Sequence, residues 1–297
     1  MRRPLTILAT VALLLSLAGC EAIQDDPPSL GASFGLANVP HWLEIPATSA
    51  DDGLDFFARP GVILSGRSHR NYSFYWDYTN RVSIWVAYPL YGAYLGSSGR
   101  TEAWGYDPLM PANKQQNVSG GYKEGDNGWY ARGHQLPSED RTADQSLNAT
   151  TFYGTNMTPQ NNDFNAGVWA TLEGKIRGWA VKSDTMYVVT GCVTDGAKHH
   201  VLDRSGNKVT VPSAYFKAAL RFKRDDSVGR KGYMAIAFWY DHEYFPNVFN
   251  KNESMSVEAL ESKLGYKLFV NLPEVVGEAD AAAIKAENPI NNSWWWQ

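Results

Sequence analysis

Residues 130–141 read YARGHQLPSEDR and set His134 two places after Arg132, with a glycine between them and charge on both sides. Histidine has the ordinary pKa closest to neutrality, so it can take a proton from water near pH 7. The stretch raises the question whether it is the general-base segment of a hydrolase, and if so why Ala131 stands where an acid is expected. A second stretch, 163–180 (DFNAGVWATLEGKIRGWA), reads as a helix. Phe164, Val168, Leu172 and Ile176 recur every four residues and make a core stripe. Asn165, Trp169, Glu173 and Arg177 recur one residue later, about 100° around the axis. That stripe offers an amide, an aromatic ring, a carboxylate and a guanidinium in a row. Its plainer alternative is a solvated flank in which Glu173 pairs with Arg177 one turn on.

Both stretches need a frame. Val82–Tyr91, Thr185–Val193, Tyr215–Lys223 and Gly232–Tyr240 are rich in β-branched and aromatic residues and are bounded by Gly, Pro or charge, so they are predicted strands. Ser256–Leu264 is predicted to be a helix, capped by Ser256, with Glu258 in its first turn and Gly265 at its end. Strands and helices do not alternate regularly, which favours an α+β fold over a parallel α/β sheet.

RGHQ at 132–135, TNMTPQ at 155–160, N-x-G-x-W-x-x-L-E at 165–173 and Arg177 together resemble the DNA/RNA non-specific endonuclease family. That family includes endonuclease G and belongs to the His-Me finger, or ββα-metal, superfamily. VAYPLY at 86–91, Arg100 and Asp107-Pro108 look like its upstream segment, and SVEALESKLGYKLFVNLP is similar to its closing helix. The resemblance implies a ββα-metal fold with a central, mainly antiparallel sheet flanked by helices. It also implies a metal-dependent endonuclease acting on DNA and RNA with little sequence preference.

The resemblance further implies roles. Phosphodiester hydrolysis needs an activated water, charge stabilisation at phosphorus and help for the leaving oxygen. His134 matches the family's general base. Asn165 matches its one direct protein ligand to the metal; a single neutral oxygen suits Mg2+, with Mn2+ as a substitute, because such an ion keeps most of its waters. Arg132, Arg100 and Arg177 match arginines that contact the phosphate, where a guanidinium fork binds two oxygens. A salt bridge to Glu173 would explain Arg177 without function. Glu173 matches a carboxylate near the metal's water shell. Asn156 matches an asparagine that helps hold the site, and a turn former before Pro159 explains it equally well. No Cys/His spacing suggests zinc, and His199-His200 reads as a solvated pair in a polar loop.

Ala131 departs from the family, which usually reads D-R-G-H. The missing acid resembles a group that organises metal-bound water, and such a loss typically costs about 10–100-fold rather than all activity. Asp126, Glu139 and Asp140 are candidates to compensate. The alternative is a catalytically impaired nucleic-acid-binding lipoprotein.

Apolar residues are 44% of the 297-residue chain and aromatics 13%, ample for a packed core and against a disordered chain. The opening MRRPLTILATVALLLSLAGC combines Arg2 and Arg3 with a short apolar run and small residues before Cys20. It resembles a bacterial lipoprotein signal (1–19), cut before Cys20, with lipid on that sulfur. A tether (20–36), a catalytic domain (37–275) and a C-terminal tail (276–297) follow. The expected location is the cell envelope, lipid-anchored, and Glu21 points to the outer membrane. Removing Arg2 and Arg3 leaves 25 basic against 31 acidic residues, so net charge moves from −4 to −6. Nucleic-acid contact must then rest on a local arginine cluster. Cys192 lies in an apolar run and reads as a buried structural thiol. Trp294-Trp295-Trp296 reads as either an exposed sticky patch or a segment packed on the domain.

Overall fold

The computed structural model describes residues 39–49, 52–123, 130–225 and 231–297. The signal sequence, Cys20, the tether and Asp126 lie outside the described residues. Strands are numbered β1 to β13 and helices α1 to α6 in chain order. A seven-stranded sheet has the order β1 (Asp55–Ala58), β4 (Ser73–Asp77), β5 (Val82–Leu90), β8 (Thr185–Val193), β11 (Ala214–Lys223), β12 (Gly232–Asp241) and β13 (Ser254–Met255). Every neighbouring pair is antiparallel. Three two-stranded pairs stand outside it: β2 (Val62–Leu64) with β3 (Arg67–His69), β6 (Tyr130–His134) with β7 (Met157–Asn161), and β9 (His199–Leu202) with β10 (Lys208–Val211). The fold is α+β, and the four strands predicted from sequence are four of the sheet's five central strands.

Those strands are almost continuously apolar because both sheet faces are covered. Alternation sends Tyr215, Ala219 and Tyr88 into one core with Leu172 and Ile176. Phe216, Ala218 and Leu220 point into a second core with Val257, Leu260 and Leu268. The first core lies under α3 (Ala170–Val181) and the second under α4 (Val257–Leu264), α5 (Leu272–Val276) and α6 (Glu278–Ala286). The Ser256 hydroxyl caps α4 by accepting from the Ala259 N–H at 3.1 Å. Gly265 ends α4 at φ 77, a left-handed conformation open to glycine without a Cβ clash.

The stretch expected to be one helix over 163–180 is three pieces. A turn of α2 (Asn162–Phe164) leads into a π-helical turn (Asn165–Trp169) and then α3, with Gly167 at φ −99, ψ −110. Each π turn holds an extra residue and rotates the helix beyond it. The core stripe Phe164, Val168, Leu172 and Ile176 is buried as expected. Trp169 is buried too, so the second stripe is not a solvated flank. His199 and His200 are on β9 rather than in a loop. Cys192 is buried, its thiol donates to the Ser83 carbonyl at 3.3 Å, and desolvation pushes its pKa up.

Chain after residue 276 packs onto the body. Trp295 sits edge-on to Trp179 with centroids 5.0 Å apart, and the Arg221 guanidinium lies 3.9 Å over Trp294. Trp294 and Trp295 are buried, so this end covers the first core and is no exposed patch.

Candidate active site

The hairpin β6–β7 and the helix after it form a ββα unit. YARGH pairs with MTPQN in the register Tyr130 with Asn161 through to His134 with Met157. Gly133 is required by close approach, since a Cβ there would lie 2.2 Å from the Gln160 side chain. Asn161 then starts the helix, its side chain accepting from the N–H groups of Asp163 (2.9 Å) and Phe164 (3.2 Å). Three side chains of β6, Tyr130, Arg132 and His134, share one face by strand alternation.

His134 closes that strand, 8% exposed, with Trp104 and Phe152 edge-on at centroid distances of 5.6 and 5.0 Å. Its Nε2 is buried and has no hydrogen-bond partner among the described residues. Desolvation pushes the imidazole down from 6.5 to about 3; the positive charges of Arg100 and Arg132 add to this, and a hydrogen bond with the Arg132 backbone opposes it. The ring is therefore neutral near pH 7 and can accept a proton.

The flanking cations are fixed by aromatic rings and main chain. The Arg132 guanidinium lies 3.5 Å from the Trp104 ring centroid and donates to the Val118 carbonyl at 2.8 Å. Arg100 lies 4.8 Å over Phe152, donates to the Ser138 hydroxyl at 3.0 Å and pairs with Glu102. Glu102 also accepts from the Trp104 indole at 2.7 Å. Trp104 thus touches both His134 and Arg132, a role that no sequence pattern signalled.

Asn156 is fully buried and spends its amide on main chain. It donates to the carbonyls of Leu136 (2.9 Å) and Thr151 (2.8 Å), and its oxygen accepts from the Leu136 N–H (2.8 Å). These bonds tie the segment leaving His134 to the turn that carries Phe152. Asn156 also closes the 3-10 turn Gly154–Asn156 ahead of Pro159, so the turn reading and the bracing contact hold together.

Farther along the helix, Arg177 does not pair with Glu173. It donates to Asp140 at 2.9 Å and pairs with Glu139, closing a loop 37 residues back. Neither acid is thus free to replace the missing one at Ala131. The 3-10 turn Ser138–Arg141 links the two groups of residues, since Ser138 holds Arg100 and Asp140 holds Arg177. Glu173 is half-buried; burial pushes its pKa up, the nearby Lys217 charge pulls it down, and Asp140 pushes it up again. Lys217, on β11, is almost wholly buried beneath this group.

Asn165, half-buried in the first turn of the helix, has no side-chain partner among the described residues. Gln160, directly opposite Ala131 in the hairpin, is fully buried, and neither of its amide atoms has a partner among the described residues. Among the described residues no group of three or more His, Cys, Asp or Glu could cage a metal. A lone, partnerless carboxamide oxygen fits a divalent ion that stays largely hydrated, not a fully protein-ligated one.

Comparison with known proteins bears on this geometry. The DNA/RNA non-specific endonuclease family matches residues 57–275. A nuclease of Nostoc sp. is 28% identical over 269 residues, 89% of this chain and 93% of the relative. A nuclease of Serratia marcescens is 29% identical over 205 residues, 67% of this chain and 72% of that protein. The mitochondrial nuclease EXOG of Danio rerio is 30% identical over 180 residues, and there the match spans 58% of this chain but only 51% of the relative. A crystal structure of an EndoG/EndoGI complex superposes with a TM-score of 0.52 at 22% identity, covering 69% of this chain and 85% of that one. That last likeness is one of fold.

Proposed function

Given that the chain belongs to the DNA/RNA non-specific endonuclease family, we propose that it hydrolyses phosphodiester bonds of DNA and RNA with little sequence preference, using His134 as general base. The observation that carries this reading is the buried Nε2 of His134, without a partner among the described residues, in the field of the Arg100 and Arg132 charges. A neutral imidazole there takes a proton from water as the water attacks phosphorus. A phosphate arriving at Arg100 and Arg132 offsets their charges, and the proton affinity of His134 then rises toward neutrality. Both arginines can hold non-bridging oxygens, and stacking on Trp104 fixes the Arg132 fork in advance.

Asn165 would hold a hydrated Mg2+, or Mn2+ in its place, which when bound supplies charge stabilisation for the leaving oxygen. Glu173 would accept hydrogen bonds near that hydration shell. Arg177 is already committed to Glu139 and Asp140, so its part is to position the turn that bears Ser138. None of these groups reads a base edge, and phosphate contacts position without specifying sequence. We further propose that lipid on Cys20 holds the domain outside the cytoplasm, on the reading of the first twenty residues.

The test is digestion of plasmid, single-stranded DNA and RNA by protein lacking the tether, with and without chelator, beside His134→Ala. Metal-dependent cleavage that drops by about 10²–10⁴-fold in a folded His134→Ala protein is expected. Wild-type turnover by that variant overturns the mechanism. Ala131 favours a second reading, binding without efficient catalysis; retention of nucleic acid with no metal-stimulated cleavage would establish it.

A further inference from the structure

A charged side chain sits in the core directly under the site and takes no part in the chemistry above. Lys217 belongs to AYFKAALRFK, where Tyr215, Lys217, Ala219 and Arg221 face the α3 side of the sheet. It is 1% exposed. Its ammonium donates to the Thr190 hydroxyl at 2.7 Å and to the Gln135 carbonyl at 3.4 Å, and lies 4.6 Å over the Trp169 ring. Those contacts reach three elements: β8, the residue after His134, and the π-helical turn that begins at Asn165.

Burying an ammonium costs free energy that an apolar side chain of the same volume would not, and methionine could fill this space. The cost is offset only if the charge acts on something. The facing ionisable groups are Glu173 and Arg177 from the helix, Asp140 with Glu139 behind it from the 3-10 turn, and Tyr88 from β5. Tyr88 donates to Asp140 at 3.2 Å, and both acids of that turn are paired with Arg177. Glu173 makes no ion pair or hydrogen bond among the described residues, so it is the unmatched anion of the group. Trp169, over whose ring the Lys217 ammonium lies at 4.6 Å, stands one helical turn before Glu173, so the two charges face each other through a low-dielectric interior where screening is weak.

We propose that Lys217 is a positioning residue of the candidate active site: its buried ammonium is the charge partner of Glu173, and its hydrogen bond to Gln135 steadies the main chain behind His134. This cation pulls the Glu173 pKa down against the larger push of burial, which together with Asp140 raises it from 4.5 to about 7. The inference rests on the reading of Glu173 given above.

The test compares the full chain carrying Lys217→Met, Lys217→Gln, Glu173→Gln and the double substitution Lys217→Met with Glu173→Gln. Lys217→Gln keeps a donor for Thr190 and serves if the methionine variant folds poorly. kcat/KM is measured against pH with magnesium present, and the Glu173 carboxyl is titrated by 13C NMR in metal-free protein. Both lysine variants should move the Glu173 titration and the acidic limb of kcat/KM to higher pH. The loss should be about 10–100-fold on the acidic side and smaller above it, the range for groups that tune a site from behind. The double variant should be slower than Glu173→Gln by much less than the Lys217→Met loss, the remainder being the lost bond to Gln135. An unmoved Glu173 titration, or losses that multiply in the double variant, overturns the proposal while leaving Glu173 in its role. Full activity of Glu173→Gln overturns the reading of Glu173 and this proposal with it.

Discussion

Asn156→Ala separates bracing from substrate contact and has a magnitude that can be worked out. The substitution removes three hydrogen bonds and leaves the Leu136 N–H, the Leu136 carbonyl and the Thr151 carbonyl without their partner. An orphaned buried polar group costs ~1–3 kcal/mol. Water entering the vacated space recovers part of that, so a net loss of ~3–5 kcal/mol is expected. For a domain of this size each kcal/mol lowers Tm by ~2–4 °C, which places the drop at ~6–20 °C. The Gln135 N–H still donates to the Asn156 carbonyl at 3.0 Å, so the segment after His134 is loosened rather than released. A displacement of His134 by about 1 Å can cost on the order of 10²-fold in rate. Asn156→Asp should be at least as harmful, because an oxygen would then face two carbonyl oxygens in place of a donor. The assay is a thermal melt by circular dichroism together with plasmid cleavage well below the melt. An Asn156→Ala protein that melts like wild type refutes the bracing argument, and one that melts like wild type yet has lost hydrolysis makes Asn156 a substrate contact.

Asn165→Ala should raise the magnesium concentration needed for half-maximal cleavage and cut the rate at saturation; a metal titration unchanged from wild type would remove Asn165 as the ligand. Burial lowers His134 from 6.5 to about 3 and His242 from 6.5 to about 4, so the folded chain binds fewer protons than the unfolded chain between those values. That stability is complete above about pH 6.5 and is lost as pH falls, by a few kcal/mol for each ring. Urea melts from pH 7 to pH 4 should show a shallower decline in His134→Gln and in His242→Gln, and an unaltered slope in either shows that its ring is not held neutral by burial. Cys20→Ala should leave the precursor uncut by the lipoprotein pathway, whereas wild-type protein recovered without lipid contradicts the anchor. Ends mapped from mixed-sequence DNA and RNA should scatter, and cleavage should weaken early as salt rises because few cations hold the phosphates. Cuts confined to one short motif would reveal a base-reading element.

The sequence determined what depends on neighbours within a turn or a strand. Enrichment in β-branched and aromatic residues between Gly, Pro or charge placed β5, β8, β11 and β12, and Ser256 and Gly265 bounded α4, because each effect acts over a few residues. RGH with N-x-G-x-W-x-x-L-E was legible for the same reason, since a hairpin and the helix after it are close along the chain. Tertiary structure alone decided what depends on distant partners. The π turn buried Trp169, which a uniform 100° step had placed on a flank. Arg177 found acids 37 and 38 residues away in preference to one a turn along its own helix. Trp104 closed over His134 from a separate loop, the tryptophan end folded back onto Trp179, and Lys217 came to lie over the Trp169 ring from a strand 48 positions later. In each case the pairing depends on which surfaces the sheet leaves to be covered and which buried charges must be matched. Such conditions exist only once the chain has closed on itself.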